Sequence, residues 1–382
     1  MLYITLDDGY SSVYQSQVID VCTYLSKNFS TRVRLIAFFS PRVYFANRAK
    51  IKRAYKHVYV LPLFPLQIWK WNILPLLFIN FFARHKTAIC RNPFATNLGI
   101  MMRKYSALQK VVYDGRGATF AEWTEYDVTP DANIRDAVKP AEKIAVLESD
   151  FRIAVSQKLV EYWKTHFDYM QKKHVVIPTT LLSNFAHSDF TEEGIKEVRA
   201  EFGFDEKDVV LVYSGSAAGW QSFNLVTEFL TTQIEKNPRV KILFLTREDE
   251  FVSNLKSRYP SNVYTKWIDH HFINLYLSVG DYGILIREQS LTNSVASPTK
   301  FAEYLALGLP VLISENLGDY SEFVKYHHCG WLVTGADMEM NLRKRPHDEK
   351  QRLIDLSKKY FYKDSAQNHL SYTLLLQELN II

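Results

Sequence analysis

One stretch of this chain has residue types and spacing suited to chemistry: Ser297-Pro298-Thr299-Lys300-Phe301-Ala302-Glu303-Tyr304-Leu305-Ala306-Leu307-Gly308-Leu309-Pro310-Val311. Ser297 suits an N-cap, Pro298 the first helical position and Gly308 the left-handed position after the last turn. The spacing predicts a short helix whose N-terminus opens at a loop end. Backbone N–H groups there lack partners within the helix, and the positive end of the dipole adds to them. Such an end binds phosphate, with Thr299 and Lys300 adding side-chain donors. Glu303 falls about one turn further in. A carboxylate there can accept hydrogen bonds from two ribose hydroxyls. A capped helix with a purely structural role also reads S-P-T-K, so the surrounding elements must decide.

Those elements alternate. Leu2-Tyr3-Ile4-Thr5-Leu6 reads as a buried strand, Asp7 to Ser12 as a turn-rich loop, and Val13 to Lys27 as a helix. Strand, Gly/Ser loop, helix is the opening of a doubly wound α/β domain. Further strand-like runs are Arg32–Phe38, His57–Leu61, Ala88–Arg91, Lys110–Asp114, Ile153–Ser156 and Val175–Pro178. A second alternation places strands at Val209–Tyr213, Lys241–Leu245, Tyr282–Ile286 and Pro310–Ser314, with a helix from about Ser222 to Glu235. The stretch from about 349 to 378 reads as helical. The expected division is a first domain over 1–180 and a second over 181–364, with a closing helix at about 365–382 packing back on the first. The 382 residues exceed what one hydrophobic core usually serves.

Composition narrows the class. Hydrophobic residues at 47% and charged residues at 23% exclude a disordered or low-complexity chain. The three cysteines, Cys22, Cys90 and Cys329, form no C-x-x-C pair. That argues against a disulfide framework or structural zinc and for a reducing, cytoplasmic compartment. The opening MLYITLDDGY has two acids and no basic segment, and reads as lacking a secretory signal.

The net charge of +5 is unevenly spread. No Asp or Glu lies between Asp20 and Asp114, while sixteen Lys and Arg fall between them. Such a region attracts an anionic surface. Apolar runs cross it at Leu61–Trp71 and Ile73–Phe82, but Pro62, Pro65, Lys70 and Pro75 interrupt them. A spanning helix needs about 20 apolar residues without such breaks. Trp69 and Trp71 beside Lys70, with Arg84 and Lys86 following, fit a segment lying in the membrane interface. A buried helix with a basic surface nearby is the alternative. Nucleic acid is not expected as a partner, since no RNP, helix-turn-helix or zinc motif accompanies the charge.

The string S-P-T-K-F-A-E-Y-L-A-x-G-L-P-V resembles the donor-binding segment of GT-B glycosyltransferases, retaining family 4 (group 1) in particular. Other pieces fall in the family's order: Val212 to Trp220 (V-Y-S-G-S-A-A-G-W), Gly280-Asp281-Tyr282-Gly283-Ile284, Gly318-Asp319 and His328 to Val333. The likeness is densest over about 205–335 and thins before 150. It implies two Rossmann-like doubly wound domains facing across a cleft. It also implies a hexosyl-type transferase taking a nucleotide-sugar donor as substrate, with no metal and no other cofactor. The acceptor would be a lipid-linked sugar or glycan in polysaccharide biosynthesis, at the inner, cytoplasmic face of a membrane.

Site residues follow from the same resemblance. Gly215 would let backbone approach the donor diphosphate, Thr299 and Lys300 would hold phosphate oxygens beside Ser297, and Glu303 would hold the ribose. The family's two cations after the glycine loop are replaced by Ser216 and Gln221, and the first Glu of its E-x7-E pair by Val295. Arg287 and Lys300 stand to supply the missing charge, and Glu288 the missing carboxylate. In the first half, Asp114 and Arg116 follow a strand where the family often has a His. Arg116 would orient an acceptor phosphate or the transferring sugar; a salt-bridged loop arginine is the alternative. Gly9, Ser11 and Ser12 would line the acceptor side. The candidates for catalysis are thus Arg116, Lys300 and Glu303. The adjacent pairs His270-His271 and His327-His328 do not converge on a metal, and Glu248-Asp249-Glu250 reads as a solvated turn. Two other functions remain open. A silent GT-B subunit would explain Val295, Ser216 and Gln221, and a nucleotide-sugar epimerase would share the fold.

Overall fold

The computed structural model describes residues 1–382 except 7–8, 130, 186–190, 216–220 and 270–271. Contacts divide the chain into two units, Met1–Thr180 with Ala366–Ile382, and Leu181–Ser365.

The first unit is a seven-stranded parallel sheet: β1 Leu2–Leu6, β2 Arg34–Phe39, β3 Val58–Pro62, β4 Thr87–Arg91, β5 Lys110–Gly115, β6 Phe151–Ala154 and β7 His174–Val176. The order is β3-β2-β1-β4-β5-β6-β7. Helices cover both faces, so the central strands are apolar throughout rather than alternating. Along β1, Leu2 and Ile4 enter one core with Phe94 and Leu98. Tyr3 enters the other, with Val18, Leu35 and, from the C-terminal helix Ala366–Glu378, Tyr372, Leu375 and Leu376.

The second unit has six parallel strands: β8 Val209–Ser214, β9 Val240–Leu245, β10 Val263–Thr265, β11 Tyr282–Leu285, β12 Val311–Ser314 and β13 Gly330–Val333. Their order is β10-β9-β8-β11-β12-β13. In both sheets the order reverses beside the first strand, between β1 and β4 and between β8 and β11. Crevices for ligands form there, beyond the carboxyl ends of the strands.

Several boundaries differ from the sequence reading. The helix expected over Val13–Lys27 is a short turn at Ser12–Tyr14, a π-helical turn at Gln15–Ile19 and an α-helix at Asp20–Asn28. The strand expected over Ile153–Ser156 is shifted to β6, because the Ser156 hydroxyl accepts from the Leu159 N–H and caps the helix Gln157–Phe167. The C-terminal helical stretch is two helices, His347–Phe361 and Ala366–Glu378. Between them Tyr362 bridges to Leu181. β10 escaped the sequence reading because it is three residues long and only partly buried.

The helix Thr299–Ala306 sits on the second sheet through Tyr304, whose ring lies over Gly283 of β11. A Cβ at Gly283 would stand 2.4 Å from that ring. Gly283→Ala is therefore expected to lower stability by about 1–3 kcal/mol through overpacking. Urea unfolding checks this. An unchanged midpoint would mean the ring has room to move.

Candidate functional site

The helix Thr299–Ala306 starts at Pro298, which is extended (φ −61, ψ 127), and no side chain caps it. Ser297 is not the cap. It is buried, and its hydroxyl pairs with the Tyr320 hydroxyl at 2.7 Å. The Phe301 N–H bonds back to the Pro298 carbonyl at 3.1 Å, and the Thr299 and Lys300 N–H groups ahead of it have no partner within the helix. At the other end Gly308 takes the expected left-handed conformation (φ +74). The Gly308 and Leu309 N–H groups bond back to Leu305 and Tyr304, closing a Schellman turn.

Lys300 and Glu303 lie on one face and pair with each other at 2.5 Å, with side-chain exposures of 20% and 8%. Each candidate ligand-binding group is the other's counter-ion in the free protein. A phosphate at the helix end and a hydroxyl pair at Glu303 would take over both partners at once.

Tyr304 ties this helix to the first strand of the sheet. Its buried hydroxyl accepts from the Ser214 N–H at the end of β8, at 3.1 Å. Burial raises its pKa, so it stays a neutral phenol. Gly215 follows Ser214, and Gln221 lies beside it: its Nε2 would be 3.6 Å from a Cβ on Gly215. Ser216 lies outside the described residues. Ser222, at φ +53, accepts the Glu288 N–H on its hydroxyl at 2.8 Å. The loop after β11 is thereby joined to the loop after β8 at the switch point.

Arg287 is fixed in the same loop. Its N–H bonds to the Ser314 hydroxyl at the end of β12, and its guanidinium donates to Asn293 Oδ1 at 3.3 Å. Asn293 is almost fully buried. Its side-chain amide donates to the Glu288 carbonyl, and its own carbonyl accepts from the Ala296 and Gly318 N–H groups. So Gly215, Gln221, Arg287, Glu288 and the helix Thr299–Ala306 share one edge of the sheet. Val295 is buried just ahead of the helix. Glu288 is exposed nearby.

In the first unit Asp114 is fully buried at the end of β5, in register with Arg91 on β4. The Arg116 guanidinium is 2.7 Å from Asp114, and their side chains are 12% and 0% exposed. Tyr3 donates to the other Asp114 oxygen. Burial works to lower the Arg116 pKa, but Asp114 and neighbouring tyrosines outweigh it and raise it. Arg116 thus takes the salt-bridged form. The Ser11 hydroxyl accepts the Tyr14 N–H and caps the turn at Ser12–Tyr14. Gly9 faces open space.

The sequence reading missed the residues that only position others: Ser222, Asn293, Tyr304, Ser314 and, in the first unit, Glu142. Glu142 is fully buried and accepts the Thr119 and Phe120 N–H groups just beyond the Arg116 loop. Burial raises its pKa to about 8 against those two donors. The one sequence signal was a Glu inside an apolar helical stretch.

Glu248-Asp249-Glu250 is structural: Asp249 caps the helix Glu250–Arg258, and Glu248 accepts from Ser253, Lys256 and Thr265. His270 and His271 lie outside the described residues, and among the described residues no three His, Cys, Asp or Glu are grouped to hold a metal ion. The three cysteines are free and buried.

No protein-family model matches the chain, and neither does any curated protein. Solved structures match in fold. The structure of HepE from Anabaena in complex with UDP aligns with a TM-score of 0.70 at 14% identity, over 98% of this chain and 99% of that one. A glycosyltransferase from Rickettsia africae ESF-5 aligns with a TM-score of 0.71 at 12% identity, over 100% of this chain and 98% of that one. WaaG, a glycosyltransferase involved in lipopolysaccharide biosynthesis, aligns with a TM-score of 0.61 at 12% identity, over 100% and 96%. At these identities the likeness shows the fold alone. The chain has the GT-B fold of two doubly wound units.

If the open helix end and Lys300 hold a diphosphate, Lys300→Ala should weaken nucleoside diphosphate binding by about tenfold or more, the worth of a charge-assisted contact. The loss should be larger than for a nucleoside monophosphate. Calorimetry with UDP and UMP checks this, and equal losses would mean that Lys300 only holds the loop.

Proposed function

We propose that this protein is a retaining glycosyltransferase that moves a sugar from a nucleotide-sugar donor to a lipid-linked or glycan acceptor at a membrane surface, in polysaccharide biosynthesis. The carrying observation is the uncapped end of the helix Thr299–Ala306 with its Lys300–Glu303 pair, set at the switch-point edge of a doubly wound sheet. In this reading the donor diphosphate lies on the helix N–H groups and Lys300, with Gly215 letting backbone approach. Glu303 holds the ribose. As the bond from the anomeric carbon to the leaving phosphate breaks, charge grows on the diphosphate. The helix dipole, Lys300 and Arg287 stabilise that charge without a metal. The acceptor hydroxyl attacks from the face the diphosphate leaves, and a phosphate oxygen takes its proton. Arg116, paired with Asp114, belongs to the acceptor side with Gly9, Ser11 and Ser12.

The test is mass-tagged transfer from a panel of nucleotide sugars to membrane extract, with EDTA present. Product on lipid or glycan is expected, and Glu303→Ala should cut turnover strongly while the protein stays folded. Normal turnover by that variant would remove the donor assignment. Epimerised free donor would point to the epimerase. Tight binding without turnover would point to the silent subunit, a reading that the buried Val295 favours.

Membrane attachment in this proposal rests on the helix Ile73–Ala83. Ile73, Leu76 and Asn80 face the core. Leu74, Phe78, Phe81 and Phe82, at i, i+4, i+7 and i+8, are each more than half exposed, as is Trp71 just ahead of them. A helix apolar on both faces leaves one face needing a cover. No described helix is long and apolar enough to cross a membrane. The cover proposed is a bilayer surface, with Lys70, Arg84 and Lys86 meeting anionic headgroups. Trp69 contributes less than its type suggests, since its ring packs on Phe94. The protein should bind phosphatidylglycerol vesicles more tightly than phosphatidylcholine vesicles, with affinity falling as salt rises. Phe78→Ser with Phe81→Ser should weaken flotation with the vesicles at unchanged thermal stability. Equal binding to both vesicle types, or none, would reject the attachment.

A further inference from the structure

The second unit also holds a cavity of about 290 Å³, lined among others by His328, Trp331, Arg345, Glu349, Lys350 and Arg352. Gly308 and Pro310, just ahead of β12, close one side. His328 lies just ahead of β13. The cavity therefore opens at the amino ends of the strands. The site built around Thr299–Ala306 uses their carboxyl ends.

Charge in this cavity is unbalanced. Arg345, Lys350 and Arg352 face a single carboxylate, Glu349. Glu349 is taken by Arg345, at 2.8 Å. The Arg345 guanidinium also stacks on Trp331, 4.3 Å from a ring centroid, and on Tyr282 at 5.0 Å. Its side chain is 8% exposed, and its Nε is buried with no hydrogen-bond partner. Arg352 donates to the His327 and His328 carbonyls and is thereby fixed in place. The Lys350 ammonium has no hydrogen-bond or ion-pair partner among the described residues. Burial lowers its pKa; Asp281 opposes this, while Arg199 and Lys344 add to it. A half-buried ammonium with cations around it is an uncompensated cost that an anion would remove. The helix His347–Phe361 also starts here, at Pro346, with no side-chain cap. Its first N–H groups add donors to the same end.

We propose that this cavity is a second anion site, which takes a small phosphate monoester such as a hexose phosphate. Lys350 and Arg345 meet the phosphate, and Trp331 offers apolar surface to the sugar carbons. The volume lies at the small end of ligand pockets, roughly 300–1,000 Å³. That suits a sugar phosphate and is small for a nucleotide sugar.

The test is calorimetry on the full chain with glucose 6-phosphate, inorganic phosphate and glucose, followed in parallel by tryptophan fluorescence. Saturable binding of one equivalent of glucose 6-phosphate is expected, weaker binding of phosphate and none of glucose. Lys350→Gln keeps the side-chain stem against Gly308. It should weaken glucose 6-phosphate binding by about tenfold or more, the size of one charge-assisted contact. Lys350→Arg should keep most of it. Lys300→Ala should leave it unchanged. No binding to the natural chain, equal binding by Lys350→Gln, or loss in Lys300→Ala alone would each overturn the proposal. None of these outcomes depends on whether the protein transfers sugar.

Discussion

The seating of Tyr304 on Gly283 is the constraint on which the phosphate-type end of the second unit depends. A helix can approach a sheet this closely only where one partner lacks a side chain, and Gly283 supplies that place on β11. The ring fills it, which sends the phenol hydroxyl into the core. A buried hydroxyl must find a partner. It accepts the Ser214 N–H at the end of β8. One side chain thus ties the helix to both strands of the switch point. Gly318 and the Asn293 carbonyl fix the loop ahead of the helix in the same manner, since a Cβ on Gly318 would stand 1.9 Å from the Ala296 oxygen. The helix end is placed before any ligand arrives, which is what preorganised charge stabilisation requires.

The two candidate sites hold their charges in different ways. Lys300 and Glu303 are neighbours on one helix, with side-chain exposures of 20% and 8%, and each serves as a substitute for the group the other would bind. A ligand that replaced both partners at once would leave neither charge bare. Asp114 and Arg116 lie deep in the first unit, with Tyr3 on the second carboxylate oxygen. Separating them would leave a buried charge without compensation, a cost of about 3–5 kcal/mol. Tyr372 of the C-terminal helix lies close enough for the two charges to shift its pKa, which burial chiefly raises. Under the proposed function the first pair opens for a ligand. The second ties the carboxyl end of β5 to Tyr3 of β1.

What could be read from the sequence follows from how local each signal is. The parallel strands were legible because burial on both faces demands apolar runs, as in Val209–Tyr213 of β8. Gly308 was legible because a left-handed position after a helix favours glycine. The cap was misread because Ser297 has two possible partners, and the choice of Tyr320, 23 residues away, is settled by packing. Asn293 and Glu142 were missed for the same reason. A buried polar side chain shows no period, and its partners come from other elements. Arg116 was legible as a charged loop residue, but its partner, two residues away, lies inside the core.

Gln221 and Val295, two of the departures from the pattern that the sequence resembles, belong to one edge of the second sheet. Val295 is buried, so an ionised carboxylate in its place would need a partner for its charge. The nearby polar groups are already engaged: Asn293 with Arg287, Glu288, Ala296 and Gly318, and Ser297 with Tyr320. An apolar side chain suits those surroundings, and a Glu would disturb bonds that hold Arg287. That arginine is held by its backbone at the end of β12 and by its guanidinium on Asn293. Under the proposed function, the charge for a diphosphate comes from Arg287 in the loop after β11 and from Lys300. β8 and β11 are neighbours in the sheet, and the Glu288 N–H bond to the Ser222 hydroxyl joins the loops that follow them.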